Sequence, residues 1–133
     1  HVAKHSLVPG DHGTTYGGNP LVCAAVDKTI DMMHKRQITE HVKELTPYFE
    51  KTLDDIIKTY DFMTGRRGMG FMQGIVLDPE VAVGTVVTKA LDAGLIVLSA
   101  GGNVLRLLPP LVIEKEDMDD MAKKLREVCD IIS

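Results

Sequence analysis

No apolar run in this 133-residue chain approaches the roughly 20 residues needed to cross a bilayer, so no membrane partner is expected. Cysteine is scarce: Cys23 and Cys129 stand far apart, in no metal-ligating spacing. Both fall among apolar residues of expected helices, the ordinary setting of reduced core thiols in a cytoplasmic protein. Positive charge is not in excess. Fifteen Lys and Arg against 19 Asp and Glu give a net charge of −4, which argues against nucleic acid or an anionic membrane surface. A nucleophile elbow, paired catalytic carboxylates and a phosphate-loop lysine motif are all missing. The five histidines form no ligand set. His1 and His5 are spaced i, i+4, but no helix is expected there, so no metal site is expected either. The opening HVAKHSLVPG has no apolar core of signal-peptide length, and it begins on His rather than Met, which suggests an excised piece.

What is present suits one folded domain: 44% hydrophobic and 26% charged residues, at a length that buries a sizeable core. Residues 1–20 are punctuated by glycine and proline and read as irregular. Asn19-Pro20 signals a helix start, with Asn as cap and Pro at the first helical position. Leu21, Ala25, Ile30 and Met33 then recur near helical spacing. A second helix is expected over about 39–60 on the stripe Val42, Leu45, Phe49, Leu53, Ile56, Ile57 and Tyr60. Pro47 inside it predicts a kink or a late start. A glycine-rich stretch then ends in an apolar strand at about 71–77. Asp78-Pro79 reads as the cap of a helix carrying Val83, Val86, Val87, Ala90 and Leu91, which Gly94 terminates. Short strands at 95–98 and 104–108 flank the turn SAGGN and suggest a hairpin. The last helix, about 114–132, turns Met118, Met121, Ala122, Leu125, Val128 and Ile132 inward. Its acidic start at Asp117, Asp119 and Asp120 suits the helix dipole and lacks the pattern of a calcium loop. The expected class is therefore α/β (α+β): a small, mostly antiparallel sheet with helices packed on one face.

Two stretches could carry chemistry. In His12-Gly13-Thr14-Thr15-Tyr16-Gly17-Gly18-Asn19-Pro20, adjacent hydroxyls sit between glycines just before a helix. Glycines let backbone donors approach an anion, and hydroxyls donate to phosphate oxygens without adding charge. The same residues would equally make a plain glycine-rich loop. In Gly101-Gly102-Asn103-Val104-Leu105-Arg106-Leu107-Leu108-Pro109-Pro110, Arg106 is a lone charge in an apolar strand. A buried guanidinium there needs a partner, and its planar fork suits a carboxylate. An arginine on an edge strand facing water is the alternative.

Together these segments resemble the class III, ornithine-type aminotransferases. HGTTYGGNPLVCAAV resembles that family's glycine-threonine segment, and RRGMGFMQGIVL its RG-x-G-x-M-x-G stretch. AGLIVLSAGGNVLRLLPPLVI is very similar to the acetylornithine branch. The three occur in family order along the whole chain. The resemblance implies the small C-terminal domain of the pyridoxal-phosphate-dependent transferase fold. Residues 1–20 would be the tail of the large cofactor-binding domain, and 21–133 a linking helix plus the small domain. It further implies that Thr15 binds the phosphate of pyridoxal 5'-phosphate across a homodimer interface. Thr14 would lie beside substrate and Arg106 would hold a substrate carboxylate. The implied reaction moves the amino group of N-acetylornithine or ornithine to 2-oxoglutarate, in arginine biosynthesis. Ornithine, succinylornithine and 4-aminobutyrate enzymes are the rivals within the family. The family's Schiff-base lysine would lie upstream of His1. Lys4 lacks its flanks, so no catalytic residue is expected in this segment, which alone should be inactive and should not hold the cofactor. Glu114 stands where relatives often place a threonine cap. The reading from a different class is a non-catalytic small domain that binds an anion or a partner chain.

Overall fold

The computed structural model describes Gly10, Asp11 and residues 13–133, and its contacts divide the chain between Gln37 and Ile38. In the first unit, Thr15–Gly18 form a turn that leads into helix α1, Pro20–Lys35. Asn19 caps it as expected, its Oδ1 accepting from the backbone N–H of Leu21 and Val22. The apolar positions of α1 are exposed in this chain, Leu21, Val26 and Ile30 among them. Cys23 is exposed with them, which corrects its reading as a core thiol; a helix with no packing partner in its own unit leaves all its faces open.

The second unit is the expected α+β domain. It contains α2 (Ile38–Ile57), β1 (Met63–Met69), β2 (Met72–Leu77), α3 (Val83–Asp92), β3 (Leu98–Ala100), β4 (Val104–Leu107) and α4 (Lys115–Ile132). The strands form one antiparallel sheet in the order β1-β2-β4-β3. Side chains alternate across a strand, and here Ile75, Leu77, Leu105 and Leu107 point to the helices. They meet Leu45, Phe49, Leu53 and Ile56 of α2, Val86 and Ala90 of α3, and Met118, Leu125, Val128 and Cys129 of α4 in a single core. The opposite row, which includes Arg67, Gly74 and Arg106, lies on the face without helices.

The differences from expectation have local causes. Helix α2 begins before Pro47 and runs through it, because its stripe of buried residues continues on both sides. Strand β1 was not expected at all. It is a glycine-containing edge strand, largely exposed, and its polar side chains hide the two-residue period. A bulge lies between Met63 and Gly65, so that Met63 pairs with Leu77 while Gly65 pairs with Val76. Asp78 does not cap α3. Its Oδ1 accepts from the Glu80 N–H, closing a local turn. The helix starts at Val83, whose N–H is taken by Oδ1 of Asn103, twenty positions later in the chain. Leu91 proves exposed, while Val86 and Ala90 carry the buried face.

Gly94 does end α3. At φ +72° it lets its own N–H reach the Leu91 carbonyl and the Leu95 N–H reach that of Ala90, a paired closure that favours glycine. This closure delays the next strand, which covers Leu98–Ala100 rather than 95–98. At the start of α4, the Glu114 N–H donates to Oδ2 of Asp117, so an acidic residue in the first turn closes the helix start at a position without threonine.

Candidate functional site

Thr14 and Thr15 belong to the first unit. Both are exposed, and neither hydroxyl takes part in a hydrogen bond with another described residue. Gly17 permits the local packing: a Cβ there would stand 2.4 Å from Cγ2 of Thr14. The Leu21 and Val22 amides at the helix start are engaged by Asn19, and the two threonine hydroxyls are among the donors of this turn that have no partner among the described residues. Two uncharged hydroxyl donors suit the outer oxygens of a phosphate group. The turn therefore fits the phosphate end of a pyridoxal cofactor, and nothing more of it. Lys4 and His12 lie outside the described residues.

Arg106 belongs to the second unit and is not on an edge. Strand β4 is internal, and Arg106 pairs with Gly74 on one side and Leu98 on the other. Its side chain lies on the open face and lines a depression of about 410 Å³ with Arg67, Gly68, Met72, Gly74 and Ala100. Gly74 makes room: a Cβ at that position would come within 2.7 Å of Cγ1 of Val104. The Nε of Arg106 is buried and has no hydrogen-bond partner among the described residues. An unpartnered guanidinium nitrogen out of water is costly, and an external carboxylate would satisfy it.

The sheet's other face shows what a neutralised arginine looks like in the same fold. Arg66, the sequence neighbour of Arg67, points to the helices. Its Nε and Nη2 donate to the two carboxylate oxygens of Asp54 at 2.8 and 3.2 Å, and its Nη1 to Glu50 Oε1 at 3.1 Å and Gln73 Oε1 at 2.9 Å. Gln73, 1% exposed, in turn donates to the Gly70 carbonyl at 2.7 Å and to Glu50. The guanidinium holds the Asp54 carboxyl below the ordinary carboxylate range, chiefly by its hydrogen bonds. Arg67 points the other way. Its Nη2 donates to the Gly101 carbonyl at 3.0 Å, and it has no ion pair among the described residues.

Sequence reasoning passed over Arg67 and Asn103. An Arg-Arg pair in a strand places one guanidinium on each face, a signal available only once β1 is recognised as a strand. Asn103 sits at φ +59°, where asparagine is better tolerated than most side chains. Besides its bond to Val83, its Nδ2 reaches the carbonyls of Leu77, Asp78 and Val81 at 3.3, 2.9 and 3.0 Å. It thereby ties the turn before β4 to the loop before α3.

Comparison with known proteins puts this geometry in context. The acetylornithine aminotransferase of Streptococcus mutans is 41% identical over 120 residues, covering 90% of this chain and 31% of that protein. Among solved structures, the acetylornithine aminotransferase of Elizabethkingia anophelis superposes with a TM-score of 0.80 at 28% identity, over 94% of this chain and 33% of that one. The ornithine aminotransferase of Plasmodium yoelii reaches a TM-score of 0.84 at 28% identity, over 96% and 34%. The chain thus spans about a third of the length of the curated relatives it matches. Residues 2–129 match the family described as aminotransferase class-III, and the chain belongs to that pyridoxal-phosphate-dependent family.

Proposed function

We propose that this chain is the carboxylate- and phosphate-orienting part of a homodimeric, cytoplasmic aminotransferase that moves the amino group of N-acetylornithine, or ornithine, to 2-oxoglutarate in arginine biosynthesis. The observation that carries the reading is the buried, unpartnered Nε of Arg106 on an internal strand, facing an open depression. The names of the relatives at about 40% identity support the choice of substrate.

In this reading the guanidinium of Arg106 binds and orients the substrate carboxylate, and the hydroxyl of Thr15 donates to the cofactor phosphate of the neighbouring subunit. Thr14 borders the substrate. Pyridoxal phosphate, when bound, supplies the electron sink for the carbanion chemistry. The proton shuttle belongs to a lysine outside this chain. Alone, the chain is expected to transfer no amino group and to hold the cofactor weakly if at all.

The test is a steady-state comparison in the complete polypeptide, with N-acetylornithine, ornithine, succinylornithine and 4-aminobutyrate as donors. Arg106→Ala is expected to raise the Michaelis constants of amino and 2-oxo acids about 10- to 150-fold, the equivalent of a charge-assisted bond of roughly 1.5–3 kcal/mol. Cofactor affinity should stay near that of the parent, and Arg106→Lys should rescue only in part, because an ammonium lacks the two-point fork. Unchanged Michaelis constants for both substrates would remove Arg106 from the site.

A further inference from the structure

Arg106 stays on the open face only while β4 keeps its register. Gly74 pairs with Arg106, Ile75 with Leu105 and Val76 with Val104. A slip of one residue would turn Arg106 toward the helices and bring core leucines to the open face. The strand that holds this register is four residues long, and its outer neighbour β3 has three. The turn that feeds β4 is itself strained. Gly102 and Asn103 both carry left-handed backbone, at φ +78° and +59°. A left-handed residue other than glycine persists where its surroundings hold it.

What holds it is the Asn103 amide. Its Oδ1 accepts from the Val83 N–H, and its Nδ2 is shared among the carbonyls of Leu77, Asp78 and Val81. Its backbone carbonyl also accepts from the Leu77 N–H at 3.1 Å. Leu77 closes β2 and Val83 opens α3, so one side chain fixes the start of β4 against both. Arg106 follows three positions later on the same strand. No bond to a described residue tethers its Nε, so its place is inherited from the strand.

We propose that Asn103 is a positioning residue for Arg106: its amide locks β4 in the register that brings the guanidinium onto the open face, although it touches no substrate itself. The purpose of this lock rests on the aminotransferase reading. The lock itself needs no turnover.

The experiment cuts the link from both ends. Asn103→Gly keeps the backbone angle and removes the side-chain bonds. Val83→Pro removes the donor to Asn103 at the first position of a helix, which suits proline. Ala82 before it already has the extended backbone that proline demands, at φ −64° and ψ 122°. Val83→Pro carries the test should Asn103→Gly not fold. Tyr60→Phe is the control, since it removes only hydroxyl bonds to Asp130 and the Arg126 carbonyl of α4.

In the nitrogen-labelled 133-residue chain, hydrogen exchange at Nε of Arg106 should speed up about three- to tenfold in both variants. Nε of Arg66, bonded to Asp54, is the internal reference and should not change. In the complete polypeptide, both variants should raise the Michaelis constants of the amino and 2-oxo acids about three- to tenfold, with kcat and cofactor affinity within about twofold of the parent. Tyr60→Phe should leave the exchange and the Michaelis constants alone. Parental exchange at Arg106 in a folded variant overturns the proposal. So does a Tyr60→Phe enzyme whose Michaelis constants rise equally, because lost stability alone would then be responsible. Faster exchange at Arg106 without amino transfer by the complete polypeptide removes the aminotransferase reading and leaves the lock standing. Amino transfer with parental Michaelis constants in Asn103→Gly removes the lock alone.

Discussion

Replacing Arg66 by methionine keeps an unbranched stem like the aliphatic part of the arginine and removes the hub of the network between β1 and α2. Three acceptors lose a partner. Gln73 Oε1 belongs to a residue 1% exposed, so its loss is that of a buried unsatisfied group, about 1–3 kcal/mol. Asp54 and Glu50 keep 42% and 33% of their side chains exposed and can rehydrate, so each forfeits only about 0.5 kcal/mol. The methionine retains the apolar contacts of the arginine stem. Arg66→Met should therefore cost about 3 kcal/mol in urea unfolding, and lower the melting temperature by about 12 °C for a domain of this size. The loss also has a pH signature. Arg66 depresses the folded-state pKa of Asp54, so this stabilisation is complete above the unfolded value and fades as pH falls through the folded one. The stability gap between parent and variant should narrow below about pH 4, the ordinary carboxylate range. A gap under about 1 kcal/mol at neutral pH, or one that widens on acidification, would refute the account of the network.

Three further outcomes are expected. In the 133-residue chain, a thiol reagent at pH 8 should modify exposed Cys23 quickly. Cys129, whose thiol burial pushes up to about 12, should react only in denaturant; two equally fast thiols would count against this. Asn103→Asp should destabilise the chain by about 2–4 kcal/mol in urea unfolding, because it turns an amide donor shared by three carbonyls into an acceptor facing them. Asn103→Gly, which tolerates the same φ, should cost less, and the reverse order would show that the bond from the Val83 N–H, which aspartate keeps, outweighs the repulsion between its carboxylate and the three carbonyls. In the complete enzyme, Thr15→Ala should lower cofactor affinity by the equivalent of about 1.5–3 kcal/mol. Mixing those subunits with subunits lacking the catalytic lysine should restore activity, and persistent inactivity would rule out a threonine that serves the partner's site.

How far the sequence alone reached depended on whether the decisive contacts were near or far along the chain. Asn19-Pro20, Gly94 and the stripe from Leu45 to Ile56 act within one or two turns, so residue type and spacing identified them. The start of α3 depended on Asn103, twenty residues downstream, and the nearer Asp78 was a plausible but wrong substitute. Arg106 was singled out as an isolated charge, yet its place on an internal strand required the pairing of β2 with β4, which no local pattern encodes. Arg67 went unnoticed for the same reason, since the face it occupies follows from its pairing with Gly74 of the next strand.

The bulge beside Thr64 reaches beyond the one irregular pair it creates. Met63 and Arg66 both face the helices, one in the apolar core and the other in the ion network, although they stand three positions apart and strict alternation would send them to opposite sides. The extra residue reconciles the two demands, and it also decides that Arg67 faces outward. A one-residue deletion at this point would remove the bulge and still keep Met63 and Arg66 on one face, since they would then stand two positions apart. With its present count of residues, a strand without the bulge would have to choose between exposing Met63 and exchanging the roles of the two arginines, placing Arg67 against Asp54. In this edge strand the bulge, as much as residue identity, determines which arginine joins the ion network and which lies on the open face.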